Sequence, residues 1–139
     1  MDLPPLLNLE SQGEYREHYI RTLVNGPPVI TPDGVIVDFY EDKFDYAFWG
    51  RSSSWQKQKD IFSWERARHM DWIRPLLTDP NSDMRRERGN DYRDFRLVLY
   101  YPDPYIVVTK CVKAGRETFK NAHPCSCARL TEKHKLPRW

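Results

Sequence analysis

The stretch Phe95-Arg-Leu-Val-Leu-Tyr-Tyr101 decides the fold, because it opens a series of segments with the properties of β-strands. Apolar residues stand at every second position of it, which is the period of a strand. Tyr105–Val112 follows a Pro-Asp-Pro turn and is rich in β-branched residues. Glu117–His123 follows a further turn at Lys113–Gly115. Short turns between consecutive strands predict an antiparallel meander.

Alternation along the last of these segments separates its side chains into two faces. It predicts that Phe119, Asn121 and His123 share one face, and that the opposite face holds Thr118, Lys120 and Ala122. Upstream, the spacing of apolar residues predicts a helix over 64–77, capped by Ser63. Helices followed by a sheet predict an α+β fold in which N-terminal helices pack on the antiparallel meander.

Arg66 falls in the middle of the apolar face of the predicted helix, and His69 falls at its edge. A guanidinium among apolar side chains costs free energy unless an anion meets it. In one interpretation Arg66 pairs with a carboxylate such as Asp60, or extends past the edge of the core. In the other, Arg66 is held ready for a phosphate.

The 139 residues are enough for one domain and too few for two that each bury a core. Residues 1–43 are predicted to form an acidic N-terminal extension. It contains a short helix at Glu14–Leu23 and a hairpin made by Val29–Ile30 and Val35–Tyr40. Residues 79–93, which are rich in Asp, Asn and Arg, predict a charged loop.

The formal net charge is only +2, but it is unevenly distributed. Residues 1–47 carry three basic side chains and nine acidic ones, whereas residues 108–139 carry eight basic and two acidic ones. A basic end suits a polyanion, because each neutralised phosphate releases counterions; a solvated tail is the alternative. The acidic N-terminal residues are expected to form ion pairs either with the basic C-terminal residues or with a protein partner.

The chain has no run approaching the roughly 20 apolar residues of a membrane span. Its first residues lack the pattern of a secretory signal, so the cytosol of a host bacterium is expected, with delivery in a virion or by another machine left open. Three cysteines are an odd number, which argues against a disulfide framework. Cys125, Cys127, His123 and His134 are residue types of a zinc site, but the Cys-x-Cys spacing is tighter than usual, so we predict no cofactor.

The run Lys59-Asp-Ile-Phe-Ser-Trp-Glu-Arg-Ala-Arg-His-Met-Asp-Trp-Ile73 resembles the signature of the phage-borne barnase/EndoU/colicin/RelE-like nuclease group. Members typically show Lys-Asp-x-Phe-Ser, then Arg-Ala, then Trp-Ile. Phe44–Phe48, Tyr105–Val108 and Phe119–His123 agree with the group in the same order. The resemblance covers about residues 44–139 and implies that these form a nuclease-like core of barnase/RelE-like architecture.

The resemblance also implies a metal-independent RNA endonuclease in which the ribose 2′-hydroxyl attacks the adjacent phosphate. That reaction needs a proton acceptor, a proton donor and cations around the phosphate. Lys59 and Arg66 match the cations that hold the phosphate, and Asn121 stands where the group usually has threonine. We expect further RNA contacts from the basic and aromatic residues Lys57, Lys110, Lys120 and Trp49.

Tyr46 stands where the group commonly has histidine. A phenol with a pKa of about 10 is a poor base at neutral pH. His123, or His69 at the helix edge, is the residue that we expect to replace it; the alternative is that each histidine is structural. A histidine near arginines favours its neutral form, which is the form that accepts a proton.

Three functions are compatible with these residues. The first is an endoribonuclease that cleaves tRNA or another structured RNA. It would be carried by a phage or mobile element, and a toxin is one such role. The second is a catalytically inactive relative that binds RNA or a host protein. The third is an anti-defence module that contacts a host protein through its acidic segment and the aromatic residues Phe39, Tyr40, Phe44, Tyr46 and Phe48. The alternative for these aromatic residues is that they line the core or stack on bases. Motifs for a glycine-rich phosphate loop, a Gly-x-Ser-x-Gly elbow and a His-Glu-x-x-His pair are absent from the sequence.

Overall fold

The computed structural model describes residues 1–55 and 57–139. In these residues the strands are β1 Val29–Ile30, β2 Ile36–Asp38, β3 Trp49–Gly50, β4 Ile61–Phe62, β5 Asp83–Arg88, β6 Asp94–Tyr100, β7 Tyr105–Lys113 and β8 Arg116–Pro124. The helices are α1 Gln12–Tyr19, α2 Phe44–Ala47, α3 Trp64–Arg68, α4 Ile73–Thr78 and α5 Cys127–Lys133. A π-helical turn over Ile20–Val24 continues α1, and 3-10 turns occupy Glu41–Lys43 and Met70–Trp72.

The fold is α+β, as the sequence predicts. The main sheet has the strand order β1-β2-β8-β7-β6-β5, and the four C-terminal strands form an antiparallel meander. The N-terminal hairpin joins this sheet because β2 pairs in parallel with β8. Gly34 (φ 84°) and Gly115 (φ 77°) occupy the left-handed region in the predicted turns, where glycine avoids a clash of Cβ.

The prediction of a charged loop over 79–93 is wrong for its central part, which forms β5. This strand can contain charged side chains because oppositely charged residues lie next to them and form ion pairs. Arg85 is buried and its Nε donates to Asp83 at 2.7 Å. The C-terminal tail runs along the outer edge, where the amide of Trp139 donates to the Met84 carbonyl at 2.9 Å. Pairing of this edge satisfies backbone groups that an edge strand leaves open.

The predicted 64–77 helix is interrupted between α3 and α4. Ser63 caps α3 as expected, accepting a hydrogen bond from the amide of Arg66 at 3.2 Å. Pro75 explains the interruption, because proline lacks an N–H donor and its ring clashes with the carbonyl four residues earlier, at Asp71. Because the helix is broken at His69–Trp72, Pro75 lies in the first turn of α4. Backbone N–H groups in a first turn make no hydrogen bond within the helix, so the missing N–H of proline has no cost there.

The two faces of the sheet bury different clusters. On one face, helices α1 to α4 and the N-terminal segment pack with the sheet in a large aromatic core, which includes Tyr15, Tyr19, Phe48 and Phe119. On the other face, α5 covers a smaller cluster of Leu97, Leu99, Ile106 and Leu130. Residues 1–43 therefore contribute directly to the main core. Of the aromatic residues expected to form a protein-contact surface, Phe39, Phe44 and Phe48 are buried in this core.

A β-bulge in β8 determines which side chains share a face. Val108 is paired with Asn121 and the next residue, Thr109, with Phe119, so Lys120 is an extra residue in the ladder. Phe119 consequently lies in the main core, whereas Asn121 lines a cavity on the opposite face with His123. The prediction that Phe119 shares a face with Asn121 and His123 is wrong, because strict alternation does not hold across a bulge.

Within the described part of the chain, none of the helices has both the length and the apolar character required to cross a membrane. The longest run of helical backbone is α1 with its π-helical continuation, and it carries the charged residues Glu14, Arg16, Glu17 and Arg21. The core contacts of this run come from Tyr15, Tyr19 and Leu23. This helix is therefore a packing element of the main core.

Candidate functional site

Positive charge surrounds the ring of Tyr46, which is 46% exposed at the end of α2. The Nζ atoms of Lys59, Lys43 and Lys120 lie 3.9, 5.3 and 5.7 Å from the centre of this ring. Lys59 also donates to the Tyr46 backbone oxygen at 2.6 Å. Arg66 donates from Nη1 to the neighbouring Ala47 oxygen at 3.4 Å. We call Lys43, Lys59, Arg66 and Lys120 the Tyr46 cation cluster.

Within the described residues, no carboxylate lies within 4.0 Å of any cationic nitrogen of this cluster. Arginines on the meander are different, since Arg85, Arg86 and Arg96 each pair with a carboxylate at 2.7 Å. Asp60, the partner suggested for Arg66, instead accepts hydrogen bonds from Ser52. The pairing of Arg66 with Asp60 is therefore wrong, and the cluster retains its charge.

The cluster holds its charge at an electrostatic cost. Burial, together with the neighbouring charges of Arg66 and Arg51, lowers the pKa of Lys59 to about 8. Burial and the charge of Lys120 lower the pKa of Lys43. Each shift means that the charged form is less stable here than in water. A bound anion would stabilise that form, so the electrostatics favour an anionic ligand.

His123, on β8, is largely buried beside this cluster. Burial lowers its pKa to about 4, and the charges of Arg66, Arg129 and Lys59 act in the same direction, against a hydrogen bond to Pro124 that raises it. The ring is therefore neutral at pH 7. Its Nδ1 lies 3.0 Å from the Pro124 carbonyl oxygen, which can only accept, so we assign the proton to Nδ1. Nε2 is then the nitrogen able to accept a proton.

The structure brings together most of the residues expected at the site. Tyr46, Lys120, Asn121 and His123 line one cavity of about 230 Å³, and Lys59 and Arg66 belong to the cluster around Tyr46. Asn121 is half-buried, and its Oδ1 atom is buried with no hydrogen-bond partner in the described residues. The bulge at Lys120 is what turns Asn121 and His123 toward this cavity.

Other expected residues have different surroundings. His69 is 6% exposed, stacks on Tyr105 with ring centres 5.2 Å apart and contacts the Glu65 oxygen through Nδ1 at 2.6 Å. A histidine packed in this way is a core residue, which corrects the expectation that it replaces the base. Lys110 forms an ion pair with Asp91 at 2.6 Å. Two further residues were expected to contact RNA. Trp49 packs on Phe62, and Lys57 is exposed.

Several residues of the cavity were not predicted from the sequence. Arg129 and Lys133 reach it from α5, and Glu87 reaches it from β5. The signals for these elements are weak. Leu130 is the one buried residue of α5, so the helix has no apolar periodicity, although Ser126 is a recognisable N-cap. The charged sequence of β5 lacks the apolar alternation that indicates a strand.

No three His, Cys, Asp or Glu side chains are arranged to hold a metal ion in residues 1–55 and 57–139. Cys111, Cys125 and Cys127 are free thiols. Burial raises the pKa of the Cys125 thiol. No family model, curated protein or solved structure matches the chain.

Proposed function

We propose that this protein is a metal-independent RNA endonuclease that binds the phosphodiester at the Tyr46 cation cluster. The observation that carries the proposal is that three lysines surround the Tyr46 ring and Arg66 binds the adjacent Ala47 oxygen, with no carboxylate in ion-pair contact with these cations among the described residues. Lys and Arg are the residues that bind phosphate oxygens in RNA complexes. The resemblance to barnase/RelE-like nucleases supports the same function.

Arg66 and Lys59 are the groups that we assign to the phosphate. Arg66 presents a planar guanidinium, which binds two phosphate oxygens at once. Its position is set by α3 and by the Ala47 oxygen. Because both cations are partly buried, their interaction with the additional negative charge of the transition state is stronger than it would be in water.

His123 and Lys59 are the groups that we assign to proton transfer. Nε2 of the neutral His123 accepts the proton of the ribose 2′-hydroxyl as the bond from that oxygen to phosphorus forms. The bond from phosphorus to the 5′-oxygen breaks, and the Lys59 ammonium gives that oxygen a proton. The pKa of about 8 for Lys59 suits a proton donor near neutral pH. The products are a 2′,3′-cyclic phosphate and a 5′-hydroxyl.

The experiment compares the protein with Arg66→Ala and Arg68→Ala variants on single-stranded RNA in EDTA. Arg68 is exposed on the same helix and serves as the matched control. We expect Arg66→Ala to lower the cleavage rate by about 100-fold or more and Arg68→Ala to leave it nearly unchanged. RNA with a 2′-deoxyribose at the cleavage site should stay intact. Cleavage of that substrate, or equal rates in both variants, would contradict the proposal.

A second candidate is an RNA-binding relative without turnover. It is favoured by Tyr46, which occupies the position of the group's usual histidine and lies beneath Lys59. This candidate predicts RNA binding without products, with an affinity that falls steeply as salt increases. Replacing Lys43, Lys59 or Lys120 with methionine should each reduce the salt slope by about one. A salt-independent affinity would rule out both candidates.

The biological setting follows from the resemblance. We propose that the protein acts in the cytosol of a host bacterium as a phage- or mobile-element-borne toxin, with tRNA or another structured RNA as its target. An anti-defence role that requires a host protein is the competing setting. Its contact surface would have to use Tyr40 and Tyr46, since these are the aromatic residues of 39–48 that are exposed large side chains. Capture of RNA rather than protein from host lysate supports the first setting.

A further inference from the structure

The cavity next to the Tyr46 cation cluster has an apolar floor. It lies on the sheet face that α5 covers, and the floor consists of Phe95, Leu97, Ile106 and Val108. The cations around Tyr46 explain phosphate binding, but they do not explain the four apolar side chains on one side of a cavity of about 230 Å³ beside them. Apolar side chains do not stabilise a bound phosphate, whereas they do stabilise a planar ring that packs against them.

The wall of this cavity presents an unused hydrogen-bond acceptor. Oδ1 of Asn121 is buried and has no partner among the described residues. A buried acceptor without a donor is unfavourable, and a ligand N–H group would complete it. Asn121 is placed here by the bulge at Lys120, which sets its pairing with Val108 of the floor. Asn121 and the apolar floor therefore line the same cavity.

The mouth of the cavity connects it with the phosphate site. Tyr46 and Lys120 line the cavity and also belong to the Tyr46 cation cluster, as ring and cation. Arg129, which has no ion-pair partner among the described residues, adds a positive charge to the lining, whereas Lys133 is paired with Glu87 at 2.8 Å. A nucleotide whose phosphate lies on the cluster thus has a cavity with an apolar floor within reach of its base.

We infer that this cavity is a base-binding subsite and that Asn121 recognises the base rather than taking part in proton transfer. The inference rests on the proposed function, since the phosphate on the cluster brings the base to the cavity. The ligand class is single-stranded RNA, because a base in a duplex is stacked and its edge is paired. The base stacks on the apolar floor, and one of its N–H groups donates to Asn121 Oδ1.

The first test measures the affinity of the full chain for short RNA oligonucleotides at low salt, with 2′-O-methyl riboses so that the 2′-oxygen cannot attack the phosphate. Homopolymers of the four nucleotides are compared with an oligonucleotide of the same length in which every ribose is abasic. We expect the abasic oligonucleotide to bind about 10-fold or more weakly than the best of the four homopolymers. Equal affinities for intact and abasic RNA overturn the subsite while leaving phosphate binding in place. If no RNA binds at low salt, the proposed function fails and the subsite fails with it.

The second test fills the cavity. Val108→Phe places a larger ring on the floor, and Val112→Phe is the control on an exposed position of the same strand. Val108→Phe should lower the affinity for intact RNA to that for abasic RNA and leave the abasic affinity unchanged. Thermal unfolding of both variants verifies that they are folded. An equal loss for intact and abasic RNA would overturn the subsite.

The third test concerns Asn121. Asn121→Leu removes the acceptor and keeps a similar volume, so it should reduce the difference in affinity among the four homopolymers. A structural role alone would weaken all four equally and would leave their order unchanged. Unaltered preferences among the bases would therefore overturn the role assigned to Asn121.

Discussion

Lys59 Nζ lies 3.9 Å from the centre of the Tyr46 ring and donates a hydrogen bond to the backbone oxygen of the same residue at 2.6 Å. These two contacts hold the ammonium over the ring face, where the ring quadrupole attracts it. They replace only part of the hydration that the ammonium has lost. The pKa of Lys59 is consequently about 8, and the group titrates just above neutral pH.

The affinity for RNA should therefore fall as the pH rises from 7 to 9. One unit above its pKa only about a tenth of Lys59 is protonated, so a complex that requires the ammonium weakens about tenfold. The Lys59→Arg variant should show a flat profile, because a guanidinium does not titrate in this range. Fluorescence anisotropy at constant ionic strength measures both profiles. A flat profile in the unmodified protein would show that Lys59 is not a required cation.

The stability of the protein should depend on His123 between pH 4 and 6.5. In this window the unfolded chain binds a proton at His123, but the folded protein does not, because its pKa is about 4. The contribution of His123 to the free energy of unfolding therefore rises with pH across the window. It is fully present above pH 6.5 and is lost as the pH falls toward 4. We expect His123→Gln to show a smaller rise than the unmodified protein in urea denaturation. Parallel curves for the two proteins would contradict the low pKa.

Loss of Arg96 should destabilise the fold strongly. Its guanidinium is fully buried and binds Glu117, which is 1% exposed, with an Nη2–Oε2 distance of 2.7 Å. Arg96→Met leaves this carboxylate unpaired in the core, which should cost about 3–5 kcal/mol of unfolding free energy. Arg116→Met is the matched control, because that arginine forms a partly exposed pair with Asp38 at 3.6 Å, worth about 0–1 kcal/mol. Similar losses in the two variants would be inconsistent with a buried ion pair.

Trp139 should stabilise the C-terminal tail against the sheet. Its ring lies between the guanidinium groups of Arg86 and Arg96, each 4.0 Å from the ring centre, and its Nε1 donates to Asp33 at 3.0 Å. Trp139→Ala should lower the free energy of unfolding by about 1–3 kcal/mol. Trp55→Ala, at a position that is 83% exposed, should change it by less than about 0.5 kcal/mol. Chemical denaturation of both variants decides the point, and a neutral Trp139→Ala would show that the tail contact contributes nothing.

Several local features could be predicted from the sequence alone. The strands after residue 94 have strong β-propensity and turns with defined chemistry, so their antiparallel order follows from neighbouring residues. The cap at Ser63 and the turn at Gly34 are also local, because each depends on contacts within a few residues. The charge of Arg66 on an apolar helix face marked it as a candidate for the same reason.

The composition of the site was decided by the tertiary structure. Whether Arg66 pairs with Asp60 depends on the partners of that carboxylate in the folded chain, and it accepts hydrogen bonds from Ser52. Lys43 and Arg129 join the site from elements far away in the chain, and α5 lacks the apolar period that would reveal it. The bulge at Lys120 reverses the faces of β8. Sequence periodicity is a property of neighbouring residues, whereas a bulge is stabilised by packing between residues distant in the chain, so only the folded arrangement specifies which side chains face the cavity.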